Sequence, residues 1–239
     1  MFPGIGVLAN VLGIVGGGLL GLGCGRLISE RFQKAIMMAC AVAVIFLGLT
    51  GTVKEMLQIG ADGGVTLVGT NCMLASLIGG VVIGEAIDLE DRMERFGHWL
   101  QQKTGSGGDT RFVEGFVTAS LTVCIGAMAV IGSINDRLLS DPSVLFAKTV
   151  IDAVIVMIMT SALGKGCIFS AISVGIFQGI IFLLAGFLEP IMTPAALKSL
   201  SAVGNILIFC VGTNLFGLPH VRIANLLPAL VIAVVWVLV

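Results

Sequence analysis

Two charged side chains stand four residues apart in an otherwise apolar stretch, FAKTVIDAV at residues 146–154. In a helix Lys148 and Asp152 lie on one face, because residues i and i+4 are neighbours. Lys148 is long enough to extend toward an interface, but Asp152 lies about two turns inside the apolar run. An acid inside a membrane span is costly and faces a partner or a polar cavity. Two roles stay open: a packing pair with Lys148, or a site for a cation, a proton or an amino group.

Uncharged polar side chains lie in several other apolar runs. Asn10 shares a helical face with Gly13, Gly17 and Gly21, so it is predicted to point into the protein. The other candidates for a binding site are Asn71, Asn205, Ser170 and Gln178. Together with the charged pair they supply the donors and acceptors that a small solute needs. Alternatively, each side chain only bonds a neighbouring helix, a contact worth about 0.6 kcal/mol.

The sequence offers little for catalysis or metal binding. Its six cysteines are scattered without a C-x-x-C pair, and its two histidines lie near predicted loops. We therefore predict no metal site, no cofactor and no enzymatic activity. A Ser/Lys dyad of Lys165 with Ser161 or Ser170 is the remaining catalytic alternative. Lys165 stands in a predicted turn, where it stays hydrated, and this disfavours the dyad.

Glycines near the amino terminus match two patterns at once. Gly16, Gly18 and Gly21 fit G-x-G-x-x-G, but no strand precedes them and residues 35–54 contain no acid for a ribose hydroxyl. Glycines at every fourth residue, such as Gly13 and Gly17, are instead typical of closely packed membrane helices. We interpret the stretch as part of a helix.

Composition places these residues in a membrane. Hydrophobic residues make up 57% of the 239 positions and charged residues 11%. The net charge of −1 argues against a nucleic-acid partner. Long apolar runs predict an all-α, polytopic transmembrane helix bundle of about eight spans. The predicted spans are residues 4–25, 34–57, 64–85, 112–134, 144–164, 167–188, 196–218 and 222–239.

The whole chain, residues 1–239, is predicted to form a single transmembrane domain. Within it, residues 87–103 have an apolar face and charged flanks, which predicts an amphipathic helix on the cytoplasmic surface. The segment 104–109, TGSGGD, is interpreted as a flexible linker. If the amino terminus is outside, cytoplasmic loops hold nine Lys and Arg residues and the other loops four. This asymmetry predicts that both termini are outside.

A short internal repeat links the first and third predicted spans. IVGGGLLG at residues 14–21 matches LIGGVVIG at residues 77–84. The two spans run in the same direction in the predicted topology, which indicates duplication of a two-helix unit. Repeats of this kind are frequent in transporters, whose binding sites lie at the repeat interface.

Several ordered motifs resemble a known family. They are the amino-terminal Asn10 and glycine run, GAMAVIGS at residues 126–133, Lys148 with Asp152, Gly164-x-Gly166-x-x-x-Ser170, Gln178-Gly179 and NLLPAL at residues 225–230. Over nearly its whole length the chain resembles the YqgA/YdfK-like bacterial inner-membrane proteins, a family defined by a domain of unknown function. The resemblance implies a polytopic protein of the bacterial cytoplasmic membrane with a role related to transport, and it brings no substrate. Members commonly have Tyr before the Gln-Gly pair, where this chain has Phe177.

These observations predict a transporter or permease for a small polar or charged solute, with ion coupling as one option. A passive channel would use the same residues, and a non-transporting scaffold or accessory protein would use them as packing contacts. The predicted partners are the lipid bilayer and a small-molecule or ion substrate. Surplus glycine faces are consistent with a homo-oligomer, such as a dimer.

Overall fold

The computed structural model describes residues 2–27, 30–59, 63–218 and 221–238. Ten α-helices account for most of these residues: α1 (Ile5–Leu27), α2 (Glu30–Met56), α3 (Thr70–Ile87), α4 (Leu89–Lys103), α5 (Phe112–Cys124), α6 (Ala127–Leu138), α7 (Ser143–Leu163), α8 (Ser170–Leu188), α9 (Pro194–Phe216) and α10 (Pro228–Leu238). A short antiparallel hairpin, β1 (Leu57–Ile59) and β2 (Val65–Leu67), follows α2. Two 3-10 turns, Lys165–Phe169 and Ile223–Leu226, precede α8 and α10.

Helices form along the apolar runs because a backbone in lipid must satisfy its own hydrogen bonds. Among the described residues, six helical segments are long and apolar enough to cross a bilayer: α1, α2, α3, α7, α8 with its preceding turn, and α9. Helices α5 and α6 together make a seventh such length, bent by 63°. Residues 223–238 form a shorter apolar helix. The predicted all-α polytopic fold is confirmed, apart from the small hairpin.

Three of the predicted spans differ from the observed helices. The third begins at Thr70 rather than residue 64, because Val65–Leu67 pairs with β1. The fourth, residues 112–134, is broken between Cys124 and residue 127. The eighth, residues 222–239, consists of the 3-10 turn Ile223–Leu226 followed by the 11-residue α10. That helix is about 16 Å long, roughly half of the hydrocarbon core. Residue 239 itself lies outside the described residues.

Helices α1 and α7 run side by side in the same direction. Three glycines of α1 face three residues of α7 in register: Gly13 faces Thr149, Gly17 faces Ala153 and Gly21 faces Met157. A methyl group added at Gly17 or Gly21 would overlap the backbone carbonyl of the residue that it faces. Small residues let two backbones approach in this way, which strengthens helix association in lipid.

Two other helix pairs also meet through glycines. Gly48 of α2 lies against the backbone of α9 at Asn205 and Phe209. On α3, Gly84 lies against the carbonyl of Asn225, and Gly80 packs one turn away at the start of α10. These pairs bring the first three helices of the chain against the later helices α7, α9 and α10.

Helix α8 runs antiparallel to α1, and its register follows from three contacts. Ile168, just before α8, packs on Gly18, and Gly175 faces Val11. Phe182 packs on Gly4 at the end of the bundle where α1 begins, which we call the N-face. Helix α6 reaches the same end, where the Arg137 guanidinium lies 5.3 Å from the centre of the Phe182 ring.

Helix α4 is separate from α3 and packs against α5. Its Gly97 and Leu100 are buried, and the Phe96 ring lies edge-on to Phe116 with 5.7 Å between ring centres. Residues 104–109, expected to be a flexible linker, form turns, and the Gln101 side chain donates to the Asp109 carbonyl at 2.7 Å. The position of α4 on a membrane surface stays a prediction.

The α1–α7 contact predicts opposite effects for two adjacent glycines. Gly17→Ala should lower the free energy of unfolding by about 1–3 kcal/mol, because the added methyl group overlaps α7. Gly16 is exposed and has open space around it. Gly16→Ala should therefore raise the free energy by up to about 1 kcal/mol through helix propensity alone. Reversible unfolding in mixed micelles measures both variants. Equal effects would contradict the close contact.

Candidate functional site

Asp152 lies at the centre of a buried polar cluster that joins three helices. Its Oδ1 accepts a hydrogen bond from Lys148 Nζ at 2.8 Å, one turn earlier on α7. Its Oδ2 accepts one from Asn10 Nδ2 of α1 at 3.0 Å. Lys148 Nζ also donates to the carbonyl oxygen of Val123 near the end of α5, at 2.9 Å. We call Asn10, Val123, Lys148 and Asp152 the Asp152 cluster.

The break between α5 and α6 explains why the Val123 carbonyl is free to meet Lys148. In a continuous helix this oxygen would accept a hydrogen bond from the amide of residue 127. The chain turns instead at Gly126, whose φ of 141° is unfavourable for residues with a side chain. The last carbonyls of α5 therefore need other partners, and Lys148 provides one.

The cluster is sealed from solvent. Asn10, Asp152 and Lys148 are 0%, 2% and 7% exposed. Moving two charged groups out of water costs several kcal/mol per ion, and the attraction between the two ions offsets only part of this desolvation cost. A buried ion pair is thus weak support for stability by itself. Its presence in a bundle with few buried charges requires either a structural or a functional reason.

Several buried polar atoms have no hydrogen-bond partner in the described part of the chain. They are Asn10 Oδ1, both amide atoms of Gln178, Ser170 Oγ and Thr160 Oγ1. A buried group left without a partner costs about 1–3 kcal/mol. Such groups are rare in folded proteins, and each requires an explanation, of which a bound water or ion is one.

Gln178 lies on the side of α8 that faces α1. Residues 175 and 182 contact α1, and position 178 follows the first by three residues and precedes the second by four, so it shares their face. Measured along the axis of α1, Gln178 lies between the levels of Val11 and Gly4. It is therefore within about one helical turn of Asn10. The structure therefore brings Gln178 to the level of the Asp152 cluster, on the neighbouring helix.

The remaining predicted site residues lie elsewhere. Asn71 is exposed at the start of α3. Asn205 packs on Gly51 of α2, and its amide group bonds Ser201 at 3.4 Å. Ser170 is buried near the level of Gly18, about two turns of α1 away from Asn10. Asn71 and Asn205 therefore lie apart from the Asp152 cluster, and a binding role for either residue stays a prediction.

The Ser/Lys dyad is not formed in the structure. Ser161 Oγ donates to the Ile158 carbonyl at 2.7 Å, and Ser170 Oγ has no partner among the described residues. Lys165 is half-buried in the 3-10 turn. Without a hydrogen bond between a serine and the lysine, the geometry of an activated nucleophile is missing.

Asp136 is a buried acid that the sequence interpretation placed in a loop. It is 0% exposed, and its carboxylate accepts hydrogen bonds from the backbone amides of Gly4, Gly6 and Val7 at 3.2, 3.0 and 3.3 Å. These amides form the start of α1, where a negative charge is favoured by the helix dipole. Asp136 thus fixes α6 to α1 at the N-face.

A second polar cluster joins α3, α4 and the turn before α10. Asn225 Nδ2 donates to Glu85 Oε1 at 2.8 Å, and Asn225 Oδ1 accepts from the Glu90 amide at 2.8 Å. Arg222 forms ion pairs with Glu85 and Asp88. Each of these contacts joins the turn before α10 to α3, to α4 or to Asp88 between them, so the cluster holds these elements together.

Two larger cavities border these regions. One of about 630 Å³ is apolar and lies between α5, α6, α8, α9 and α10, with Ser120, Cys124 and Ser173 on its wall. The other, of about 410 Å³, lies at the start of α5 and includes Glu90, Glu114 and Thr118. Asp152, Lys148 and Asn10 line neither of these two cavities. The Asp152 cluster is closed in this conformation.

Comparison with known proteins identifies relatives over nearly the full length. A family described as "Protein of unknown function (DUF554)" matches residues 5–238. The chain is 25% identical over 227 residues to "Uncharacterized membrane protein YdfK" of Bacillus subtilis, covering 95% of this chain and 93% of that protein. It is 24% identical over 233 residues to "Uncharacterized protein YqgA" of Escherichia coli, covering 96% and 94%. No solved structure matches the chain significantly.

The Asp152 cluster predicts a large difference between single and paired substitutions. Lys148→Met should lower the free energy of unfolding by about 3–5 kcal/mol, because it leaves the Asp152 charge buried. The double variant Lys148→Met/Asp152→Leu should recover most of that loss. Arg95 pairs with Asp91 on the exposed face of α4. Arg95→Met, the surface control, should change the free energy by less than about 1 kcal/mol. Equilibrium unfolding in mixed micelles tests all three, and equal losses for the single and double variants would contradict a charge-specific effect.

Proposed function

The chain belongs to the DUF554 family, and from this premise we propose that it is a membrane transport protein for a small polar or charged solute. The charged element of its site is Asp152, Lys148 modulates that charge, and Asn10 and Gln178 provide hydrogen-bonding groups. The protein lies in the bacterial cytoplasmic membrane with both termini outside, following the Lys and Arg asymmetry. The proposal includes no catalytic chemistry.

The observation that carries this proposal is the combination of a buried ion pair with unsatisfied polar atoms at one level of the bundle. An ion pair alone would serve packing no better than apolar residues of similar volume. Unpaired Asn10 Oδ1 and Gln178 amide atoms add a further cost to the folded state. A solute that hydrogen-bonds these atoms would recover that cost, whereas a purely structural role leaves it unexplained.

The interrupted α5–α6 segment gives a second argument. Broken helices in transporters expose backbone carbonyls and helix ends that bind ions or substrates near the membrane centre. Here the break at Gly126 frees the Val123 carbonyl, which takes part in the Asp152 cluster. Non-helical backbone at such depth is tolerated where it is buried in protein or lines a cavity.

The closed state of the Asp152 cluster favours a carrier over a passive channel. A channel needs a continuous polar path, but Asp152 is 2% exposed and borders neither of the two larger cavities. A carrier alternates between closed and open conformations around one site. The cavity that includes Glu90 and Glu114 lies at the start of α5, the cytoplasmic end in the proposed topology, and Asp152 does not line it.

A non-transporting scaffold is the second candidate function. It is favoured by the fact that both carboxylate oxygens of Asp152 already have partners within the protein. In that case the cluster would only join α1, α5 and α7. In a carrier the Asp152 charge binds the solute, whereas in a scaffold it only holds helices together. Replacing the charge pair by apolar residues should therefore abolish transport in a carrier and leave a scaffold's function intact.

Flux in proteoliposomes tests the proposal. A panel of radiolabelled inorganic ions, amines, amino acids and other small polar solutes is applied to the native protein and to Asp152→Asn. We expect one class of solute to enter with the native protein and its initial rate to fall at least about tenfold in the variant, the effect of losing about 1.4 kcal/mol of interaction. Glu189→Gln, an exposed acid after α8, is the matched control and should keep the native rate.

The double variant Lys148→Met/Asp152→Leu separates the two candidates. If the protein is a carrier, this variant folds and loses flux. A flux that is unchanged in both Asp152 variants, at every pH tested, would show that Asp152 is not the charged element. Absence of flux for every solute on the panel, with native protein that is folded and correctly inserted, would favour the scaffold.

A further inference from the structure

We infer that the Asp152 cluster binds a small monovalent cation or a primary ammonium group, and that the Lys148 ammonium holds the position of this cation in the closed conformation. The inference deepens the proposed function and rests on it, because it assigns a substrate class to the same residues. In this view Lys148 is a tethered competitor of the solute rather than a permanent part of the site.

The ligands of Lys148 Nζ are the first argument. The ammonium contacts one carboxylate oxygen, Asp152 Oδ1 at 2.8 Å, and one backbone carbonyl, Val123 O at 2.9 Å. Freed carbonyls at helix breaks and carboxylates are the groups with which transporters coordinate Na⁺ and protons. A dehydrated alkali cation or an alkylammonium makes the same kind of contact as a lysine side chain.

Two further oxygen acceptors have no donor in the described structure. Asn10 Oδ1 belongs to the amide whose Nδ2 bonds Asp152. Gln178 Oε1 lies on the α1-facing side of α8 at a similar height. Both residues are 0% exposed. Lys148 Nζ bonds neither oxygen, so both remain available as acceptors for a cation that enters beside the cluster.

The buried charges favour a cation over an anion. Among the described residues, the buried ionisable side chains with formal charge are Glu90, Asp136, Asp152 and Lys148, three acids and one base. Glu90 lies in the second polar cluster, and Asp136 is bonded to the start of α1. Apart from Glu90, the buried charges are therefore two carboxylates, Asp136 and Asp152, and one ammonium, Lys148. An added anion would increase this imbalance in a medium of low dielectric constant.

Competition follows from the count of charges. Asp152 compensates one positive charge, so a solute cation entering the cluster must displace Lys148 Nζ or leave two cations close together in a dry site. Because Lys148 is tethered one turn away, it competes at a high effective concentration. The native protein should therefore bind cations weakly, and removing the ammonium should strengthen their binding.

Thermal unfolding of the detergent-purified full chain tests this inference without a flux measurement. The midpoint temperature is recorded at constant ionic strength while NaCl, KCl, LiCl or methylammonium chloride replaces choline chloride, whose cation is too bulky for a closed site. We expect Lys148→Met to show a saturable rise in midpoint temperature with one or more of the small cations. The half-saturating concentration should be at least about tenfold lower than in the native protein, because the tethered competitor is gone.

Two control variants make the result specific. Lys54→Met removes an exposed lysine at the end of α2 and should respond like the native protein. Lys148→Met/Asp152→Asn removes the ammonium together with the carboxylate charge and should lose the saturable rise. The order of response among the four salts distinguishes a metal cation from an ammonium group as the preferred ligand.

Identical salt responses for Lys148→Met and Lys54→Met would overturn the inference. If Lys148→Met does not fold, Lys148→Gln retains a donor without the charge and takes its place. The native protein is also titrated to high salt, where failure to show a saturable, cation-selective rise overturns the inference as well. Flux without any cation response would contradict this inference alone, whereas a cation response without flux of any solute would contradict the proposed function alone.

Discussion

Every polar group in this bundle is constrained by the lack of water in the hydrocarbon region. In lipid an unsatisfied donor or acceptor costs several kcal/mol, so side chains and backbone must find partners inside the protein. The Asp152 cluster meets this constraint for one carboxylate and one ammonium by drawing on three helices. Contact between α1, α5 and α7 is therefore required for the charges to be buried at all.

The same constraint explains where helices approach most closely. Asn10 reaches Asp152 because α1 and α7 meet backbone to backbone at Gly17 and Gly21, where no side chain separates them. A larger residue at either position would move the two helices apart and lengthen the 3.0 Å hydrogen bond. The glycines of α1 thus allow a short distance between α1 and α7, and this short distance lets the Asn10 side chain bond Asp152.

Much of the fold could be predicted from the sequence, but little of the helix pairing could. Hydropathy depends on local sequence, so it identified the spans, and i, i+4 spacing correctly joined Lys148 to Asp152. Asn10 was placed inside the bundle because it shares a face with glycines. Asn71 and Asn205 were candidates only because they are polar residues in apolar runs, and in the structure one is exposed and the other faces α2. Which helices become neighbours depends on tertiary packing, and a single sequence does not encode it as a local pattern.

The missed features have the same origin. Asp136 follows Asn135 and precedes Arg137, a polar run that is typical of a loop, and only the approach of α1 turns it into a buried helix cap. The break at Gly126 lies in an apolar segment without proline, so hydropathy gives no sign of it. The Asp136 cap depends on contacts between residues more than a hundred positions apart. The helix break depends on the conformation of a single glycine.

The helix contacts differ in kind, and this difference bears on which helices would move apart in the transport cycle proposed above. Helices α1 and α7 are joined by backbone contacts and by the Asn10–Asp152 hydrogen bond, so separating them would expose a buried charge. Helix α8 meets α1 through side chains, as at Gly4 with Phe182 and at Gly175 with Val11. Side-chain contacts can be exchanged by small sliding motions, which is the usual form of shear between packed helices. Opening of the proposed site is therefore expected between α8 and the α1–α7 pair, on the side where Gln178 lies.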